Sequence, residues 1–143
     1  MSTAVIDSFS GEFRFLSNFY PALVYYNAVM YPTVEHAYQA AKYLDAERRM
    51  FVRAAETPRE AKRRGRLFAI RNDWEAVKVN VMHGLLLRKF AIEPLRSSLL
   101  QTGSAELVEG NTWGDQFWGV CNGRGSNQLG KLLMAVRKTY GGV

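Results

Sequence analysis

The chain is expected to be α+β, mainly helical with a small β-sheet, and three observations point there. Capping residues stand ahead of three runs of helix formers, at Thr33, at Thr57 and at Asn72-Asp73. Apolar side chains recur at helical spacing in Val34, Ala37, Ala41 and Leu44, in Val77, Val81 and Leu85 with Met82 beside them, and in Leu129, Leu132, Leu133 and Val136. Strand-like composition is confined to short runs.

Arg14–Leu16 and Leu23–Met30 read as short strands, the second broken by a turn at Asn27-Ala28. Pro32 and Thr33 open a helix with Glu35 in its first turn. Seven residues on, Lys42 falls roughly 20° around that helix from Glu35 and about 10 Å along it, so both lie on one edge of the apolar stripe. Arg48–Ala55 is helical in composition. Thr57-Pro58-Arg59-Glu60 joins a cap, a first-turn proline and a glutamate at the third position, with Gly65 as the stop. Asn72-Asp73-Trp74-Glu75 starts a longer helix running to about Phe90. A short helix over Pro94–Leu100 ends at Gly103, Glu106–Glu109 is a strand, and a loop covers Gly110–Gly125. Asn127–Tyr140 is the last helix.

With 143 residues, 48% of them hydrophobic, the chain fills one core of ordinary size, so one domain over 1–143 is expected. No apolar run reaches the roughly 18 residues of a membrane helix, and Met1–Ser10 lacks the pattern of a secretory signal, so a cytoplasmic protein that meets no membrane is expected. One cysteine and two histidines cannot form an intrachain disulfide or the usual zinc sites. A net charge of +6 favours anionic partners. Part of it sits in Lys62-Arg63-Arg64-Gly65-Arg66, either a solvated helix end or a phosphate or nucleic-acid contact.

Three segments can carry chemistry. Thr112–Gly119 places Asp115 among Trp113, Phe117 and Trp118, rings suited to stacking on a base or sugar, or else to plugging a core while Asp115 caps a turn. Gly119–Asn127 is a glycine-rich approach to a helix N-terminus with Arg124 in it, either a phosphate cradle or a tight turn. It fits neither the Walker pattern nor GxGxxG. Phe13–Pro21 alternates Arg14, Ser17 and Asn18 with aromatic rings, and Asn18 either orients a sugar hydroxyl or makes an Asx turn. His36 points about 100° from Glu35, and His83 and Cys121 read as packing residues.

FLSNFYP at Phe15–Pro21, YPTVEHAYQAAK at Tyr31–Lys42, the Asn72-Asp73-Trp74 helix start, LVEGNTWGDQFWG at Leu107–Gly119 and GRGSNQLGKLLMAVR at Gly123–Arg137 together resemble the NADAR, or YbiA-like, family. Five motifs in order cover roughly residues 9 to 138. The resemblance implies the mainly helical NADAR fold and hydrolysis of the bond between ribose C1 and an amino nitrogen. It implies two substrate classes: ADP-ribose on guanine in nucleic acid, and phosphoribosylamino-pyrimidine intermediates of riboflavin biosynthesis. The first motif is more similar to the ADP-ribosyl-guanine type. An acidic residue and a glycine often follow the family's second tryptophan-glycine pair, where this chain has Val120-Cys121.

Carried over by motif, Glu35, Trp74 and Asp115 are the functional positions. Cleavage develops positive charge on the ribose and needs a protonated nitrogen leaving group, work for two carboxylates. Glu35 is expected to assist the nitrogen or activate water, and Asp115 to stabilise the cationic ring. Lys42 offers a Schiff-base route. Trp74 and Trp118 would stack on the base, and Asn18, Phe19, Arg14, Gly125 and Asn127 complete the expected substrate contacts. No cofactor or metal is required, and a DNA ADP-ribosyltransferase is the expected functional partner. A non-catalytic reader of ADP-ribose or nucleic acid is the competing class.

Overall fold

The structure, a computed structural model, describes residues 4–142. In chain order the elements are β1 (Val5–Ile6), a 3-10 helix (Gly11–Leu16), β2 (Val24–Tyr26), β3 (Val29–Tyr31), α1 (Val34–Ala41), α2 (Ala46–Arg53), α3 (Pro58–Arg64), α4 (Trp74–Lys89), α5 (Leu95–Gln101), β4 (Glu106–Leu107), β5 (Gly110–Asn111), β6 (Val120–Cys121) and α6 (Gln128–Thr139). The class is α+β and mainly helical, but the small sheet resolves into three separate two-stranded ladders: β1 with β4, β2 with β3, and β5 with β6. By density of contacts the chain forms two units, Asn18–Lys89 and the segments before and after it.

In Asn18–Lys89, β2 and β3 make an antiparallel hairpin with Val24 opposite Tyr31 and Tyr26 opposite Val29. Asn27 and Ala28 both take left-handed φ, the two-residue turn whose twist suits a hairpin. Thr33 caps α1, its hydroxyl accepting from the His36 amide at 3.0 Å. Every residue of α1 is buried, because the helix packs against α2, α3, α4 and the hairpin strands. Ala37, Ala40 and Ala41 let those neighbours come close, so the helix has no solvated face.

The expected stripe of α1 is therefore too narrow at one end and too long at the other. Leu44 lies beyond the helix and is 68% exposed, since the chain leaves helical geometry after Lys42. In α2 the start moves to Ala46 because Asp45 accepts from the Arg48 amide at 3.0 Å. In α3, Thr57 and Gly65 bound the helix as expected. Gly65 keeps right-handed φ and is needed for another reason, because an added Cβ would sit 2.1 Å from Gln39 Oε1.

At the start of α4 the Asp73 carboxylate binds the Arg71 guanidinium at 2.6 and 2.9 Å. The buried line of α4 is Trp74, Met82, Leu85, Leu86 and Lys89, with Val77 and Val81 only half-buried.

In the other unit, β1 and β4 pair in parallel, Val5 with Glu106 and Ile6 with Leu107, and α6 covers β4. Leu99, Leu107, Leu129, Leu133 and Val136 are buried there, while Leu132 is half-buried. Arg14–Leu16 is part of the 3-10 helix and not a strand. Its bonds run from Phe13 N to Ser10 O and from Ser17 N to Arg14 O, so the side chains repeat every third residue and only Leu16 turns inward. The expected loop over Gly110–Gly125 contains the parallel β5–β6 pair, Gly110 with Val120 and Asn111 with Cys121. No helix of the described residues is long and apolar enough to cross a membrane.

Candidate active site

Glu35 enters the first turn of α1 through two local constraints. Thr33 sets the helix start, and the Glu35 amide donates to Asn18 O at 3.1 Å, which ties the FLSNFYP segment to the helix. Glu35 is 7% exposed, and its carboxyl group accepts a hydrogen bond from Gln39 Nε2 at 2.6 Å, one helical turn on. Burial pushes its pKa above the usual carboxylate range, against the pull of the Gln39 amide and of Lys62, Lys42 and Arg66.

Lys42 caps the C-terminus of α1 in right-handed conformation, so the seven-residue spacing that puts it on the Glu35 side carries through. Its Nζ lies 5.7 Å from the Tyr38 ring centroid. Burial lowers its pKa; Glu35 opposes the shift, while Arg66, Lys62 and Lys78 reinforce it. A carboxyl group of raised proton affinity thus shares a helix face with an amine of lowered proton affinity. That pairing suits acid catalysis and nucleophilic catalysis alike.

Trp74, expected to stack on a base, is 4% exposed and packs against Tyr38 with centroids 5.1 Å apart and planes tilted by 56°. Asn18 sits beneath Glu35, its Nδ2 donating to Met82 Sδ at 3.6 Å, and Phe19 is exposed beside it. Asn18 Oδ1 and Gln39 Oε1 are buried carbonyl oxygens without a hydrogen-bond partner. Among the predicted site residues, Asn18, Phe19, Glu35, Lys42 and Trp74 belong to this unit.

Gln39, which orients Glu35, and Lys78 are not singled out by the sequence, although the i,i+4 spacing of Glu35 and Gln39 was the signal for the first. His36 is structural: Nδ1 is 2.8 Å from Thr33 Oγ1 and Nε2 is 2.9 Å from Ala55 O.

Asp115, Trp118, Arg14, Gly125 and Asn127 belong to the other unit. Asp115 Oδ1 accepts from the amides of Phe117 and Trp118 at 3.1 and 2.9 Å, and Asn111 grips the Asp115 backbone on both sides. Any substrate contact by Asp115 falls to Oδ2. Trp118 stands edge-on to Phe117 at 4.9 Å, and Trp113 is 62% exposed, so it does not plug the core.

Arg14 is exposed on the 3-10 helix. Asn127 spends its amide on the β4 segment, Oδ1 accepting from Glu109 N at 3.0 Å and Nδ2 donating to Leu107 O at 2.9 Å. Gly125, at φ +145°, lies against Gly119 O where a Cβ would be 2.2 Å away.

Of the two readings of the Gly119–Asn127 segment, a phosphate cradle or a tight turn, the start of α6 fits the turn. The amides of Ser126, Asn127, Gln128 and Leu129 donate to the carbonyls of Gln116, Gly119, Phe117 and Trp118. Those donors are what an anion would need, and the loop already consumes them.

The NADAR domain family model matches residues 7–140. An N-glycosidase of Nostoc punctiforme is 42% identical over 129 residues, 85% of this chain and 82% of that protein. A riboflavin biosynthesis protein of Vibrio vulnificus is 39% identical over 128 residues, 87% of this chain but 35% of that longer protein. The NMR structure of Escherichia coli YbiA superposes with a TM-score of 0.83 at 36% identity, covering 97% of this chain and 86% of that one.

Proposed function

The chain belongs to the NADAR domain family and is an N-glycosidase, and on that premise we propose that it releases ADP-ribose from guanine in DNA by hydrolysing the bond between ribose C1 and the amino nitrogen. The observation that carries the chemistry is the buried Glu35 carboxyl, held by Gln39 and sharing its helix face with Lys42.

Glu35 in its protonated form gives its proton to the nitrogen as the C1–N bond breaks, which turns a poor leaving group into a neutral amine. Water then adds its hydroxide to C1 and returns its proton to Glu35. On the Lys42 route the amine adds to the ring-opened C1, the base amine leaves, and water hydrolyses the lysine imine.

A polyanionic substrate is supported by where the charge sits. Ten of the chain's 19 lysines and arginines, against four of its 13 acids, lie between residues 42 and 71, which equals the whole net charge of +6. In the same stretch the exposed rings of Phe51 and Phe68 carry guanidinium groups, Arg64 at 4.5 Å and Arg48 at 4.7 Å from the centroids. A DNA ADP-ribosyltransferase is then the natural counterpart, and the cytoplasm the natural place. Phosphoribosylamino-pyrimidines are the second reading, favoured by the name of the Vibrio vulnificus relative.

Incubating the protein with an ADP-ribosyl-guanine oligonucleotide and with a phosphoribosylamino-pyrimidine, and measuring base release, separates the two. Glu35→Gln keeps the acceptor for Gln39 and should lower turnover by about 10²- to 10⁴-fold with the fold intact. Burial raises the folded pKa of Glu35 above its unfolded value, so its ionisation costs stability once the pH exceeds the unfolded value, and the variant should melt no lower than the parent at neutral pH. Near-parental turnover by Glu35→Gln would dismiss the mechanism.

A further inference from the structure

We propose that Lys62, Arg66 and Lys78 form a seat for a phosphate of the substrate, beside Glu35 and Lys42. The inference rests on the reading above only in taking the ribosyl group to be phosphorylated, as it is in both substrate classes.

The placement follows from three helices. Glu35, Tyr38, Gln39 and Lys42 lie at i, i+3, i+4 and i+7 of α1 and share one face. Gly65 lets the end of α3 close on Gln39, because no side chain intervenes between them. Lys62 is one turn back from Gly65 on the same side, and Arg66 is the next residue on. Trp74 docks the start of α4 against Tyr38 of the same α1 face, and Lys78 is one turn on from Trp74. Two helix ends therefore deliver three cations to the surroundings of the α1 acid.

The electrostatics agree with that placement. Lys62 and Arg66 both act on the Glu35 carboxyl, and Arg66, Lys62 and Lys78 all act on the Lys42 amine. The half-buried Lys42, Lys62 and Lys78 and the exposed Arg66 thus share a neighbourhood with one buried carboxyl. Glu75 reaches Lys78 at 2.5 Å but is itself highly exposed. The nearby Glu60 is taken by Arg63 and Arg64.

Arg64 also stacks on Phe51 of α2 and Arg63 pairs with Glu60 on the exposed side of α3, so the two arginines between Lys62 and Arg66 have other structural work. A phosphate oxygen between an arginine and two lysines is a strong, charge-assisted partner. The α6 N-terminus, the other place a phosphate would be sought, has already given its amides to backbone carbonyls.

Calorimetric titration of the intact chain with ribose 5-phosphate, ADP-ribose and adenosine tests the seat. Lys62→Gln, Arg66→Gln and Lys78→Gln should each weaken binding of both phosphorylated ligands by about tenfold or more and leave adenosine unchanged. Arg63→Gln, on the exposed side, should change neither, and Arg66→Lys should recover part of the loss. Tighter binding of ADP-ribose than of ribose 5-phosphate, or the reverse, supports the seat in either order and identifies a diphosphate or a monoester as its occupant.

Unchanged affinity for the phosphorylated ligands in all three variants overturns the proposal, as does an equal loss for adenosine or no binding to the parent protein. Base release that survives the three substitutions with unaltered KM rejects the seat and spares the N-ribosyl reading. Variant-sensitive phosphate binding without base release does the opposite.

Discussion

Lys89 closes α4 with a side chain only 1% exposed, its Nζ 5.8 Å from the Tyr20 ring centroid, and burial lowers its pKa from 10.5 to about 7. That shift of about 3.5 units corresponds to roughly 5 kcal/mol when the group is fully protonated in the unfolded chain, and about 4 kcal/mol at pH 7 where the folded amine is half neutral. A domain of this kind holds about 5–15 kcal/mol in total, so one side chain consumes a large part of it.

The sign follows from the direction of the shift. The folded pKa lies below the unfolded one, so the penalty is complete below pH 7 and shrinks as pH rises from about 7 toward 10.5, by up to about 1.4 kcal/mol per unit. Methionine has similar length and no charge, so Lys89→Met should be several kcal/mol more stable than the parent at pH 6.5. The gap should narrow steadily by pH 9.5. Urea unfolding at five pH values between 6 and 9.5 measures both curves. Parallel curves, or a variant less stable at pH 6.5, would refute the assignment of the cost to the buried amine.

Two other substitutions probe the α1 face. Gly65→Ala puts a methyl group against the Gln39 side chain and should cost about 1–3 kcal/mol in a thermal melt while also lowering turnover, because Gln39 is what holds Glu35. Turnover unchanged at full folding would separate Gln39 from the chemistry. For Lys42, borohydride added during turnover should leave a ribosyl adduct on the intact protein by mass, absent in Lys42→Ala; an active Lys42→Ala without adduct assigns the attack to water.

Local signals were legible in the residues. Thr33 and Thr57 accept from amides three residues on, Asn27-Ala28 makes the tight hairpin turn, and the apolar spacing of α6 holds at Leu129, Leu133 and Val136. Each depends on neighbours within about four positions, so sequence order alone determined them.

The family motifs brought Glu35, Trp74 and Asp115 forward, and the chain does belong to that family. Tertiary structure decided what lies far apart in order or turns on burial. Parallel pairing of Val5 with Glu106 joins segments about a hundred residues apart, which no local pattern announces. The 3-10 turn at Gly11–Leu16 replaced a strand once Leu16 alone found a core to enter. Lys89 and Gln39 carry polar side chains whose importance comes from the low-dielectric surroundings other helices provide, and the cations of α3 and α4 matter because Gly65 and Trp74 bring them to α1. Proton affinity and charge crowding belong to an environment, and an environment exists only after the chain has folded.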